Sequence, residues 1–110
     1  AIAFKRVVNI LKNFPGGAVD PAVFTSPEES ALYQAYNEIR GKAIALIDKE
    51  EYESALVELA RLRKPVDAFF ESVLVMDPDE KVRTNRLSML SGISRLFYRI
   101  ADFSKIVTEK

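Results

Sequence analysis

Apolar residues recur along the chain every three or four positions, and nowhere do they alternate with period two over a useful length. That spacing places one face of a helix against a core. Ile2, Val7, Ile10, Leu11 and Phe14 make the first such stripe and predict a helix over residues 1–13. The stretch FPGGAVDPAVF then interrupts it: Pro15, Gly16, Gly17 and Pro21 predict a long loop. Loops of that length are either functional or mobile, so the order of residues 14–26 stays open at this point.

TSPEES carries a helix start. Ser26 suits the N-cap, and Pro27 suits the first helical position, where its missing N–H costs nothing. Glu29 then falls at the third position and can close a capping box. The stripe Leu32, Tyr36, Ile39, Ala43, Leu46, Ile47 follows. Gly41 interrupts it at a cost of about 1 kcal/mol relative to Ala, and is expected to mark the close approach of another helix.

DKEEY predicts a tight turn. The next stripe is Tyr52, Ala55, Leu56, Leu59, Leu62, Val66, Phe69, Phe70, Val73, and it continues in phase through Pro65. An interior proline loses a hydrogen bond and clashes with the preceding turn, so a kink or short break is expected near residues 62–65. MDPDEK repeats the earlier start signal, with Asp77 as the expected cap, Pro78 as the first helical residue and Glu80 as the third. The last helix is expected to reach about residue 107. It sets Leu87, Leu90, Ile93, Leu96, Phe97, Ile100, Phe103, Ile106 and Val107 on one side, and Thr84, Ser88, Ser91, Arg95, Asp102 and Lys105 on the other. These elements predict an all-α fold, an antiparallel helical bundle of about four to five helices, over a single domain spanning residues 1–110.

Composition narrows the chemistry. Of the 110 residues, 48% are hydrophobic, enough for a real core. Cysteine and histidine are both absent, which removes thiolate chemistry, the commonest general base and the commonest neutral metal ligand. No apolar run is long enough to cross a bilayer and no secretory signal is visible, so no membrane partner and a cytoplasmic location are expected. The chain opens with AIAFKRVVNIL, inside a predicted helix and without an initiator Met, and is expected to be a fragment of something longer.

Charge sums to zero but is unevenly spread. Residues 1–12 carry three bases and no acid, residues 13–60 nine acids against three bases, and residues 61–110 ten bases against seven acids. Basic ends around an acidic middle fit either a surface that meets an anion or ordinary mixing on solvated helices. There is no Gly-rich phosphate loop, no metal-ligand cluster and no nucleophile–base pair. Adjacent acids such as Glu50 and Glu51, or Asp77 and Asp79, fall in turns and helix starts, where capping explains them. No catalytic residue, metal site or cofactor is therefore expected in this chain.

The polar residues that remain are Lys5, Arg6, Arg61, Arg63, Lys64, Arg83, Asn85, Arg86, Arg95 and Arg99. Arginine and asparagine are what RNA contacts need: charge for phosphates, planar donors for base edges and stacking. Arg86 and Asn85 each admit two readings. Arg86 touches a ligand or forms a cross-helix ion pair with Asp67; Asn85 reads a base or holds helices together. Arg83 is expected to face outward. Phe69, Phe70, Phe97 and Phe103 lie on helix stripes and are expected in the core rather than as stacking platforms, while Tyr98 falls between the two faces.

Residues 56–106, LVELARLRKPVDAFFESVLVMDPDEKVRTNRLSMLSGISRLFYRIADFSKI, closely resemble the C-terminal end of the bacterial glycyl-tRNA synthetase β subunit. The family's linked runs are L-x-x-L-R-x-P-V-D-x-F-F-(D/E)-x-V-x-V-M, then R-x-N-R-L-x-L-L, then L-F-x-x-(I/V)-A-D-(I/F)-S. Here they fall at Leu59 through Met76, Arg83 through Leu90, and Leu96 through Ser104. FKRVVNIL, residues 4–11, resembles the family's KR-x-x-N-I-L opening, although Phe4 stands where many relatives have Asn. The region is similar to the helical anticodon-binding domain named for a D-A-L-R motif. That motif is not intact, since Asp67 and Ala68 are followed by Phe69 and Phe70. The resemblance implies a non-catalytic module that docks the anticodon stem-loop of glycine tRNA, with aminoacylation residing in the α subunit and the rest of the β subunit as its neighbours. On that basis Lys5, Arg6, Arg83, Arg95 and Arg99 are phosphate candidates, and Asn85 and Arg86 base-reading candidates. The alternative is a helical module that positions neighbouring domains or subunits without touching RNA.

Overall fold

A computed structural model describes the backbone of residues 2–108 and the side chains of residues 5–101. Five helices follow one another, α1 (Ile2–Ile10), α2 (Pro27–Asp48), α3 (Tyr52–Ala60), α4 (Arg63–Ser72) and α5 (Glu80–Thr108), with a single 3-10 turn at Pro21–Val23. Among the described residues there is no strand, and the all-α expectation holds. The side chains of Ile2, Phe4, Asp102, Phe103, Lys105, Ile106 and Val107 lie outside the described residues.

α2 begins as the sequence reads. Ser26 caps it, Pro27 opens it and Glu29 closes the capping box. It ends by a reversal at Lys49–Glu51: Glu50 takes a left-handed φ of 62°, and the Glu50 and Glu51 amides bond back to the Ile47 and Leu46 carbonyls. This Schellman pattern satisfies carbonyls that would otherwise be orphaned, and it turns α3 back onto α2.

The disruption before Pro65 is a break rather than a kink. α3 tightens into i→i+3 bonds at Arg61 and Leu62, and α4 starts at Arg63. Pro65 then sits in the first turn of α4, where its missing N–H is not needed. Leu59, Leu62, Val66 and Phe69 stay buried across the break. Leu56, expected on the stripe, is instead partly exposed.

α5 starts later than the repeat of the Asp-Pro signal predicts. Asp77 accepts the Asp79 amide through one oxygen and faces Arg86 with the other. The cap passes to Asp79, which accepts the Lys81 and Val82 amides, so Glu80 is the first helical residue. From residue 85 to 94 this helix is buried nearly all round. α1, α2 and α3 pack on it, and so does the 3-10 turn. Ser88, expected on the polar side, is covered because the loop before α2 crosses over it: a Cβ on Gly17 would stand 2.7 Å from the Ser88 hydroxyl. Ser88 keeps that hydroxyl satisfied by donating to the Thr84 carbonyl at 2.7 Å.

Helix–helix closeness belongs to Gly92 rather than Gly41. Gly41 is exposed, and a Cβ added there would meet nothing within 4 Å, whereas a Cβ at Gly92 would stand 3.0 Å from the Tyr36 hydroxyl. One contiguous core results, running from Val7 on α1 through Leu32 and Ile39 on α2 and Phe69 on α4 to Leu90 and Ile93 on α5.

Candidate functional site

The polar residues at the start of α5 turn inward. Arg86 is the centre of a buried cluster. Its guanidinium donates to Glu29 through Nε and Nη2, both at 3.2 Å, and to the Leu74 carbonyl at 2.6 Å. It also reaches the Thr25 hydroxyl at 2.9 Å and lies 3.4 Å from Asp77. Its carboxylate partners are thus Glu29 and Asp77. Asp67, the expected partner, is exposed on α4 and takes no part. Glu29 has no exposed surface, yet it also accepts from the Thr25 and Ser26 amides. Burial alone would raise its pKa. The hydrogen bonds from Arg86, Thr25 and Ser26, together with the Arg86 charge, outweigh that and hold the carboxyl below its ordinary value.

Asn85 is equally engaged. Its Oδ1 accepts the Asp20 amide at 2.7 Å and its Nδ2 donates to the Asp20 carbonyl at 3.0 Å. These paired bonds tie the loop before α2 to α5 across 65 residues of sequence. Arg83 is half-buried and donates to the Asp77 and Pro78 carbonyls, at 3.0 and 3.4 Å, clamping the turn that leads into its own helix. On α1, Lys5 is exposed, and the Arg6 guanidinium lies over the Phe70 ring at 4.4 Å. Phe69 is fully buried and Phe70 half-buried beneath Arg6, as core residues rather than free platforms.

Arg95 and Arg99 stand apart from these. They are one turn apart on α5, both exposed, and they line an open cleft of about 290 Å³ together with Tyr36 and Arg40 of α2. The cleft continues past Tyr36, Arg40 and Arg95 into a second hollow of about 250 Å³, walled by Tyr33 and Asn37 and by the loop at Gly17–Val19. No acidic residue among those described lines either hollow. Among the described residues, none of the three arginines has a carboxylate within ion-pair distance. Arg61 and Lys42, by contrast, pair with Glu58 and Glu38 on their own helices.

Arg40 and Tyr36 are not among the polar residues that the sequence singles out. The signal is present all the same. Tyr36 and Arg40 are four residues apart on α2, as are Arg95 and Arg99 on α5, so each pair shares one helical face. What the sequence lacks is the crossing that brings the two faces together, and Gly92 permits it. Chemically the arrangement can hold anions and planar groups. Among the described residues, no cluster of His, Cys, Asp or Glu could hold a metal ion, and no helix is long and apolar enough to cross a membrane.

Similarity to known proteins agrees with this picture. Residues 1–108 match the family model of the DALR anticodon binding domain. The chain is 53% identical over 99% of its length to the glycine–tRNA ligase beta subunit of Syntrophus aciditrophicus, of which it covers 16%. It is 47% identical to the proteins of the same name from Citrifermentans bemidjiense, over 96% of the chain, and Desulforudis audaxviator, over 94%, covering 15% of each. The chain thus spans about one-sixth of the length of the relatives it matches. With an all-helical set of elements in the described backbone and a family match over nearly every residue, this chain belongs to the DALR anticodon-binding domain family.

Proposed function

We infer that this chain is a non-catalytic tRNA-binding domain of a glycyl-tRNA synthetase beta subunit, acting in the cytoplasm. It docks the anticodon region of glycine tRNA, while aminoacylation is performed elsewhere in the enzyme. The chain-long match to an anticodon-binding family carries this reading. A cleft lined by three arginines, with no acid among its described residues, on a chain of zero net charge supports it, because RNA affinity begins with phosphate neutralisation. The remaining partners are the rest of the beta subunit and the alpha subunit. Binding of the chain to glycine tRNA, and to the same tRNA with an altered anticodon, measured at two salt concentrations, tests it. Tighter binding to the native anticodon and a steep fall with salt are expected. Equal binding to both tRNAs would sink anticodon reading, and no binding at low salt would sink RNA contact.

Exposed Val57 on α3, and Leu74 and Met76 between α4 and α5, favour a second reading, a module that positions neighbouring domains. That reading wins if replacing Arg40 and Arg95 in the assembled ligase leaves charging intact while deleting the domain dissociates the enzyme.

A further inference from the structure

The cations of this fold divide into those already engaged and those held ready. Arg86 is buried among Glu29, Asp77 and the Leu74 carbonyl, Arg83 is spent on turn carbonyls, and Arg6 lies on Phe70. Arg40, Arg95 and Arg99 share a concavity with no acid in its lining among the described residues. Three guanidiniums collected from two helices repel one another unless an anion joins them. In a chain with as many acids as bases, leaving all three without a carboxylate among the described residues is the arrangement of an anion site.

The walls say which anion. Tyr36 lies against α5 in the space that Gly92 leaves open and offers an aromatic wall to the cleft that Arg40 and Arg95 also line. Asn37, exposed on the next position of α2, adds an amide with one acceptor and two donors. Aromatic rings and guanidinium planes stack bases, and amides pair with base edges. The two joined hollows, at about 290 and 250 Å³, are each near the lower limit of ligand pockets, roughly 300 Å³. They suit one or two nucleotides rather than a duplex, which is recognised along its length across successive grooves.

We propose that the cleft between α2 and α5 is a single-stranded RNA site: Arg40, Arg95 and Arg99 grip phosphates, Tyr36 packs against an unstacked base, and Asn37 meets its edge. It rests on the tRNA-binding reading above and adds where the strand lies. The Arg83–Asn85–Arg86 cluster, despite its RNA-like composition, acts from inside the fold.

The test is fluorescence anisotropy of the 110-residue chain with a labelled anticodon stem-loop of glycine tRNA and with a blunt duplex of the same stem. R40A, R95A/R99A and N37A are compared with R63A/K64A, which removes an exposed basic pair outside the cleft. Circular dichroism checks that each variant keeps its helices. R95A/R99A is expected to weaken stem-loop binding about tenfold or more, as for loss of charged hydrogen bonds. Its salt slope is expected to flatten by about 0.7 for each phosphate that is no longer neutralised. R63A/K64A is expected to bind as the unaltered chain, and the duplex to bind more weakly than the stem-loop. Undiminished binding by folded R40A and R95A/R99A, or equal affinity for stem-loop and duplex, overturns the cleft while leaving tRNA binding in place. No binding by the unaltered chain at low salt overturns both.

Discussion

Glu29 performs two tasks with one carboxylate. It closes the capping box of α2 by accepting the Ser26 amide, and it neutralises Arg86 from α5 in a site without exposed surface. Removing one member of a buried pair costs up to roughly 3–5 kcal/mol, and Asp77, 3.4 Å from Arg86 and partly exposed, compensates the remaining charge only in part, which puts the cost toward the lower end. E29Q is therefore expected to lower unfolding free energy by that order, read by chemical denaturation. The double variant E29Q/R86M is expected to lose less than the sum of the two singles, because the pair acts as a unit. Acid sensitivity follows from the same geometry. The folded carboxyl sits below its ordinary 4.5, so its contribution to stability is complete above about pH 4.5 and is lost as pH falls through the lower folded value. As pH falls below about 4.5 the unaltered protein should lose stability more steeply than E29Q. Parallel pH profiles for the two would show that Glu29 does not carry this dependence.

Among the elements, glycine and turn chemistry separate residues that only interrupt a helix from residues that shape the bundle. Gly41 has open space around it, so G41A gains helix propensity and is expected to stabilise by about 1 kcal/mol. At Gly92 the same gain is offset, because the new carbon would stand 3.0 Å from the Tyr36 hydroxyl and 3.3 Å from its ring carbon. G92A should therefore stabilise less than G41A or destabilise, and it should shift the tyrosine fluorescence by moving Tyr36. A melting temperature raised equally by both would mean α2 yields freely at the crossing. The α2–α3 turn carries its own cost. Glu50 holds the left-handed position that glycine takes in such caps, at φ 62°. E50G is expected to raise stability by up to about 1 kcal/mol, measured by the thermal midpoint, since the strain of a side chain there is relieved.

At the scale of the whole molecule, what the sequence shows depends on how far apart the interacting residues lie. Helix order, the Ser26–Pro27–Glu29 start and the break before Pro65 are legible, because each rests on residues within one or two turns. The start of α5 falls two residues beyond its sequence signal: Asp77 spends one oxygen on the Asp79 amide and the other on Arg86, nine positions away, and Asp79 takes over the cap. The Glu29–Arg86 pair, 57 residues apart, and the facing of Tyr36–Arg40 with Arg95–Arg99 leave no local trace. The loop at residues 14–26 is the clearest case. Its Pro and Gly content is equally that of a mobile linker, yet Asn85 binds both backbone groups of Asp20, and Gly17 settles on Ser88.

That attachment has a measurable consequence for the molecule as a unit. The loop walls one end of the α2–α5 cleft through Gly17, Ala18 and Val19, so its anchor at Asn85 also fixes the cleft. In N85A two hydrogen bonds go, each contributing about 0.5–1.5 kcal/mol, and the Asp20 amide loses its acceptor. Hydrogen exchange at Asp20 is expected to accelerate strongly, with smaller increases along the loop, while the amides in the middle of α2 and α5 keep their protection. Unchanged exchange at Asp20 would show that the partly buried Val19 and Phe24 hold the loop without Asn85. The buried asparagine in an RNA-like sequence context would then lose the structural role the hydrogen bonds assign to it.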